Sequence, residues 1–301
     1  MCARYSSPPK AVLAAALLAA ALGLGACAGP AASPTSPPSP AATTAAAPPA
    51  PAFLPTYTAS PAPTPTPLEP LSQASDPEAI RLRMLLSHTA WETLWVEVRE
   101  VDVPPEGSDL LVSIRRAQIW IRQPAEALVI MGPENGEADY LWASDGVHVL
   151  EIDARQSPPV RQEGQLPPFV RAPYDPPRVL SDTITGYPLA GSIGAPLIEL
   201  VFPSGLAQRL GDYRVAGVDT VAGRAALIVD WTAPTGLIAD RFRVDALTGL
   251  LLRDQVLGKT GGGEVVQSDR SVLDIRYDPV FPEGLFDLQA VDAPRFLAPP
   301  P

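Results

Sequence analysis

The sequence predicts an α+β domain built on a single antiparallel sheet, and three observations lead to that fold class. Apolar residues alternate with polar ones at period two in run after run, as half-buried strands require. Asn135-Gly136, Asp145-Gly146, Ala222-Gly223 and Thr248-Gly249 place turn residues between those runs. Between Asp153 and Tyr213 the pattern breaks at Pro158, Pro159, Pro167, Pro168, Pro173, Pro176 and Pro177, which exclude central strands, so this stretch reads as a helical insertion.

The chain begins with Arg4 and Lys10 ahead of an apolar run from Ala11 to Leu24. A charged start, an apolar middle and small residues before a cut describe a secretory signal over residues 1–26. The unbroken apolar part falls short of the roughly 20 residues that cross a bilayer. Leu24-Gly25-Ala26-Cys27 resembles the bacterial lipobox, in which the thiol takes a diacylglyceryl group before the signal is cleaved. The resemblance implies that Cys27 is the lipid-attachment site. It also implies a protein held on the extracytoplasmic face of the bacterial cell envelope. One acyl chain anchors a protein only marginally, whereas two anchor it stably at about 0.8 kcal/mol per buried methylene. Ordinary cleavage would instead leave Cys27 as a free thiol.

Residues 27–70 are rich in Pro, Ala, Ser and Thr and cannot bury enough apolar surface to offset their ordering entropy. They read as a disordered stalk, extended to roughly 100 Å where polyproline-like. Residues 71–301 form the domain. Ser75-Asp76-Pro77-Glu78 is a helix start, with Ser75 as the cap and Glu78 at the capping-box position; Leu82, Leu85, Leu86 and Thr89 then share one face.

Strands follow. Leu94, Val96 and Val98 alternate with Trp95, Glu97 and Arg99, and Ile119 and Ile121 alternate with Gln118, Trp120 and Arg122. Leu128–Met131, Tyr140–Trp142 and Val147–Ile152 continue an antiparallel meander, with type I′ turns expected at Asn135-Gly136 and Asp145-Gly146. Within the insertion, Arg178–Thr185 and Leu206–Leu210 can form short helices around Gly186, Gly191 and Gly194, making a lid or rim. Strands resume at Tyr213–Val215, Ala226–Trp231, Arg241–Val244, Leu250–Arg253 and Val265–Tyr277, with a turn at Gly261-Gly262-Gly263. Phe281, Leu285 and Phe286 close the core before a frayed tail ending Pro299-Pro300-Pro301.

Composition narrows the function. Of 301 residues 18% are charged and the formal net charge is −11; residues 1–26 contribute only Arg4 and Lys10, so the remainder is more acidic still. Such a chain lacks the basic clusters that bind phosphate backbones, and nucleic acid is excluded as a partner. The two cysteines are Cys2, inside the signal, and Cys27. The mature monomer therefore has no disulfide and no cysteine metal site.

Catalytic patterns fail in turn. Gly258-Lys259-Thr260 imitates the end of a phosphate-binding loop, but Arg253 stands where that loop needs glycine. His88 and His148 lack partners at metal spacing, and no nucleophile elbow is present. Asp139, Asp145, Glu151 and Asp153 could mimic a hydrolase carboxylate pair, but turns and solvated strand faces account for them. No enzyme, metal or cofactor is expected. Trp95, Trp120 and Trp142, with Trp91 nearby, lie in the first meander and can point to one face of a curved sheet. They would suit a pocket for an acyl chain or sterol-like ligand, or simply fill the core beneath the helix.

The order of elements then resembles a known family. A leading helix, a meander carrying Ser144-Asp145-Gly146, a helical insertion, Val221-Ala222-Gly223-Arg224-Ala225, Val244–Arg253 with Asp245-Ala246-Leu247-Thr248-Gly249, and Phe281–Phe286 look like the outer-membrane lipoprotein-sorting (LolA/LolB-like) family, especially the amino-terminal domain of the MucB/RseB regulators. The resemblance implies a half-open barrel: a strongly curved antiparallel sheet with helices over its mouth and a hydrophobic cavity between. It also implies a non-enzymatic module that binds a lipid or acyl chain. The alternative is an envelope sensor that binds a membrane protein such as an anti-sigma factor. The relatives that this domain resembles most are soluble and diffusing, whereas Cys27 implies a tether, so free ferrying of lipoproteins does not fit this chain.

Overall fold

The computed structural model describes residues 69–167, 180, 195–236, 239–260 and 263–301, all within one compact unit, Thr64–Pro301. The signal, Cys27, the stalk up to residue 68, Gly186, Gly191, Gly194, Gly261, Gly262 and all of Arg178–Thr185 but Leu180 lie outside the described residues.

The described strands are β1 (Thr93–Asp102), β2 (Ser113–Arg122), β3 (Glu126–Pro133), β4 (Tyr140–Asp145), β5 (His148–Asp153), β6 (Val160–Gln165), β7 (Asp212–Val221), β8 (Arg224–Thr232), β9 (Ala239–Asp245), β10 (Leu251–Thr260) and β11 (Gly263–Tyr277). They form one 11-stranded sheet in the order β6-β5-β4-β3-β2-β1-β11-β10-β9-β8-β7. Every pairing is antiparallel, and the join of β1 to β11 unites the two meanders. The sheet curls so strongly that β7 meets β11, from which three strands separate it, yet β6 and β7 remain unpaired edges. The result is a half-open barrel. β6 was not legible as a strand, because the prolines around it rule out only a central position and β6 is an edge.

Three helices among the described residues cover one face: α1 (Pro77–Leu85), α2 (Ala195–Val201) and α3 (Ser204–Ala207), with a 3-10 turn at Ser87–Ala90 after α1. Asp76, not Ser75, caps α1, accepting from the Glu78 amide at 2.8 Å; Ser75 instead accepts from the Ser72 amide. The buried side of α1 is Ile80, Met84 and Leu85, while Leu82 and Leu86 are half-buried and Thr89 is exposed. The expected face fails because α1 ends at Leu85, with Leu86 as its C-cap and Thr89 in the 3-10 turn beyond.

The turns also differ from expectation. Ala222 (φ 49°) and Gly223 (φ 73°) form the turn in which both residues take positive φ. At Asp145-Gly146 only Gly146 does so (φ 89°), while the Asp145 carboxylate accepts from the amides of Val147 and His148. Asn135-Gly136 joins β3 to β4 without positive φ at either residue.

The helical face of the sheet has an apolar core that includes Leu94, Val96, Val98, Ile119, Ile121, Val129, Phe242, Val244 and Leu251. At the β9–β11 end the same face turns ionic. Phe242, Asp254, Arg270 and Glu100 are successive register partners. Arg270 pairs with Glu100 at 2.8 Å and Asp254 at 3.4 Å, and Arg209 joins Asp240 at 2.9 Å to Glu199 at 3.1 Å. Burial, reinforced by the Asp240 charge, pushes the Asp254 carboxyl up to about 6. On the opposite face of this end, Asp219, Arg243, Gln255, Asp269 and Arg253 form a cross-strand chain of polar contacts.

Gly249 (φ 81°) lies so close to α1 that an added Cβ would collide with the Arg83 carbonyl, whereas Gly223 faces open space. Gly223→Ala is expected to cost about 1–2 kcal/mol from its left-handed backbone alone. Gly249→Ala should cost about 1–3 kcal/mol more for the overpacking, as urea unfolding of the two variants would measure.

His88 is buried, and desolvation lowers its pKa to about 4, against a backbone hydrogen bond at Leu85 that raises it. The folded state thus binds fewer protons than the unfolded chain between pH 4 and 6.5, and this contribution to stability is lost as pH falls through that window. Asp254 works oppositely, because its raised pKa makes the folded state bind more protons between about 6 and its ordinary value of 3.8. Relative to wild type, His88→Gln should therefore gain about 3 kcal/mol in urea-unfolding stability between pH 6.5 and 4.

Candidate ligand cavity

The face of the sheet opposite the helices is apolar over β1 to β5. Register places Trp95 opposite Trp120, Trp120 opposite Leu128, Leu128 opposite Ala143 and Ala143 opposite Leu150. Gln118, Ile130, Leu141 and Ile152 form the neighbouring row. A second buried cluster contains these apolar residues together with Phe281, Phe286 and Leu288, with Leu285, Val291, Phe296 and Leu297 packed against it. The rings of Trp95 and Trp120 meet edge-on at 5.9 Å, Trp120 meets Phe281 at 5.5 Å, and Phe281 meets Phe286 at 5.8 Å. Such contacts stabilise the cluster beyond simple area burial.

The tail expected to fray is thus a strap across this face. Asp278 starts it: with φ 52° it turns the chain out of β11, and its carboxylate accepts from the amides of Glu92 (2.6 Å) and Thr93 (3.1 Å). A short 3-10 turn, Leu288–Ala290, is capped by Asp287, which accepts from the Gln289 amide. Beyond it the chain joins no strand ladder, and Pro294, Pro299, Pro300 and Pro301 have no amide to offer one.

Side chains of the sheet hold the strap instead. The buried Gln118 amide grips Leu297 twice, donating to its carbonyl and accepting from its N–H, both at 2.9 Å. Arg161 donates to the Val291 carbonyl at 3.1 Å and Arg276 to that of Pro300. The guanidinium of Arg116 lies 4.8 Å from the centre of the Phe296 ring, and that of Arg122 lies 5.1 Å from Phe286.

The resemblance implied a cavity between sheet and helices; a cavity of about 370 Å³ lies instead on the opposite face, between strap and sheet. Trp120, Leu128, Ile130 and Leu141 form its sheet wall, and Leu285, Val291, Leu297 and Ala298 form much of its strap wall. Polar groups from Asp287, Asp292 and Arg295 join the lining from the strap. This size, an apolar lining and a few polar groups are the attributes of a small-ligand site. Trp120 is buried, yet its indole N–H has no hydrogen-bond acceptor, a cost that an acceptor on a ligand would relieve.

The structure separates the three tryptophans that the sequence grouped. Trp120 lines this cavity, and Trp95 packs beside it beneath the Arg276 guanidinium, 5.5 Å from its ring. Trp142 lies on the other face, in the helical core, because its register partner is Val129 rather than Leu128. Trp91 also belongs to that core, against Phe202. Phe281, Leu285 and Phe286 close a core as the sequence suggested, whereas Leu288, Val291, Phe296 and Leu297 escaped sequence reading, since they follow neither a helical nor a strand period.

The four acids grouped in sequence have local partners. Asp139 pairs with Arg115 at 2.5 Å, Asp145 caps the following turn, Asp153 binds Arg155 through both oxygens, and Glu151 adjoins Tyr140. Exposed His148 contacts Asp145 at 3.2 Å. Among the described residues, no group of three or more His, Cys, Asp or Glu side chains is placed to hold a metal ion.

The class is therefore a half-open β-barrel with an apolar cavity under a carboxy-terminal strap. No family model and no curated protein matches the chain. Among solved structures it is similar to the Pseudomonas aeruginosa MucA/MucB complex, at 16% identity and TM-score 0.42 over 74% of this chain and 64% of that one. It is also similar to the Mycobacterium tuberculosis lipoprotein LppX, at 13% identity and TM-score 0.34 over 66% and 94%. A LolA superfamily protein from Nitrosomonas europaea matches at 15% identity and TM-score 0.27 over 72% and 100%. The matches to MucB structures span less than two thirds of the MucB chains.

The Gln118 grip yields a direct prediction. Gln118→Leu leaves the N–H and carbonyl of Leu297 without those partners, at a cost of about 1–3 kcal/mol to closure of the strap. Hydrogen exchange at the Leu297 amide should accelerate tenfold or more, while amides of β2 and β3 keep their protection.

Proposed function

We propose that this chain is a membrane-tethered, extracytoplasmic, non-enzymatic protein that binds a lipid or acyl chain in the cavity beneath its carboxy-terminal strap. The observation that carries this reading is the 370 Å³ apolar cavity against Trp120, closed by a segment that side chains rather than a ladder hold in place. Burying an acyl chain there at roughly 25 cal/mol per Å² supplies binding energy without any catalytic group. Lipidation at Cys27 would keep the domain on its membrane, beside a source of such chains.

Native mass spectrometry of the mature chain, extracted gently from bacterial membranes, tests the reading. The expected result is an added mass that organic extraction removes, with occupancy reduced in Leu141→Trp, which fills the cavity. A bare mass on a stable fold would overturn it. Cys27→Ser is expected to abolish incorporation of labelled acyl chains and release the protein from the membrane fraction. Were the chain instead an envelope sensor, the unpaired edge of β6 is where a partner strand would add. A lipid-free domain that crosslinks in cells to one membrane protein would favour that reading.

A further inference from the structure

We propose that the cavity beneath the strap selects amphiphiles with an anionic head, a carboxylate or a phosphate, and that Arg295 is the residue that reads the head. This deepens the acyl-chain reading above and rests on it. Every other described arginine is engaged by a carboxylate or a backbone carbonyl. Arg295 has no hydrogen bond, ion pair or ring contact, and it lines the cavity.

Charge balance gives that vacancy its meaning. The chain carries 33 acidic residues against 22 lysines and arginines, so carboxylates without a partner are expected and an arginine without one is not. Asp292, also unpaired at the cavity, is accordingly uninformative, and Asp287 is occupied as the cap of the 3-10 turn. Position strengthens the assignment. Arg295 is two residues before Leu297, whose backbone Gln118 fixes, so a flexible guanidinium extends from a held backbone beside an apolar chamber. A chain inserted against Trp120 and Leu141 would leave its head where the planar, bidentate guanidinium can meet two oxygens.

The test uses the full chain and three soluble probes of equal chain length below their micelle concentrations: dodecanoate, dodecanol and dodecyltrimethylammonium. Tryptophan fluorescence reports binding at Trp120. Because Arg295 is exposed, its pairing is screened, and wild type should prefer dodecanoate to dodecanol by about fivefold at low salt. That preference should shrink as salt is raised. Arg295→Gln should bring dodecanoate down to the level of dodecanol, and Arg295→Lys should restore part of the preference. Equal binding of the two probes by wild type, or an unchanged preference in Arg295→Gln, overturns the headgroup assignment while leaving the cavity intact. Preference for the ammonium probe overturns it in favour of Asp292. If none of the three probes binds, the acyl-chain reading itself fails.

Discussion

Strands β1 to β5 carry apolar side chains on both faces, and a sheet of that kind must be covered twice. Val96, Ile119, Val129 and Trp142 face the helices, while Trp95, Trp120, Leu128 and Ala143 face the other way. Leaving either row in water would cost roughly 25 cal/mol for each Å² of apolar surface. Helices α1 to α3 cover the first row. The second row is why the chain, after completing its last strand, runs back across the sheet.

That second cover differs in kind from the first. Helices satisfy most of their own backbone groups, so α1 needs little from the sheet except apolar contact. The strap satisfies few of its own, and it is held at intervals by Gln118, Arg161 and Arg276. A cover fixed at points can pack tightly where the aromatic cluster of Phe281 and Phe286 sits and stand off elsewhere, which leaves the chamber over Leu128, Ile130 and Leu141. The same construction allows the strap to open locally without breaking a ladder.

Part of the other half of the sheet is handled by charge, although Phe242, Val244 and Leu251 continue the apolar core there. Toward β9–β11 the apolar rows give way to Arg270 with Glu100 and Asp254 on the helical face, and to Arg253, Asp269, Gln255 and Arg243 on the opposite one. The exposed pairs contribute little stability individually. Their effect is to leave that outer surface wettable, so the apolar cavity is confined to the end that the strap covers.

Much of this fold was legible in the sequence: the antiparallel meanders on either side of an insertion, the helix before them, and the hairpins at Asp145-Gly146, Ala222-Gly223 and Thr248-Gly249. All are local properties, set by alternation at period two and by turn residues within a few positions of one another. Alternation says which residues of one strand share a face, but the phase between strands is set by register, a contact between distant segments. Hence Trp95 and Trp120 come together while Trp142, in the equally apolar run Tyr140-Leu141-Trp142, falls on the other side. The destination of the chain beyond Phe286 was likewise decided only by tertiary structure, because an aperiodic, proline-rich segment has no face of its own. It docks where the sheet offers an uncovered apolar surface and a buried Gln118 to hold it.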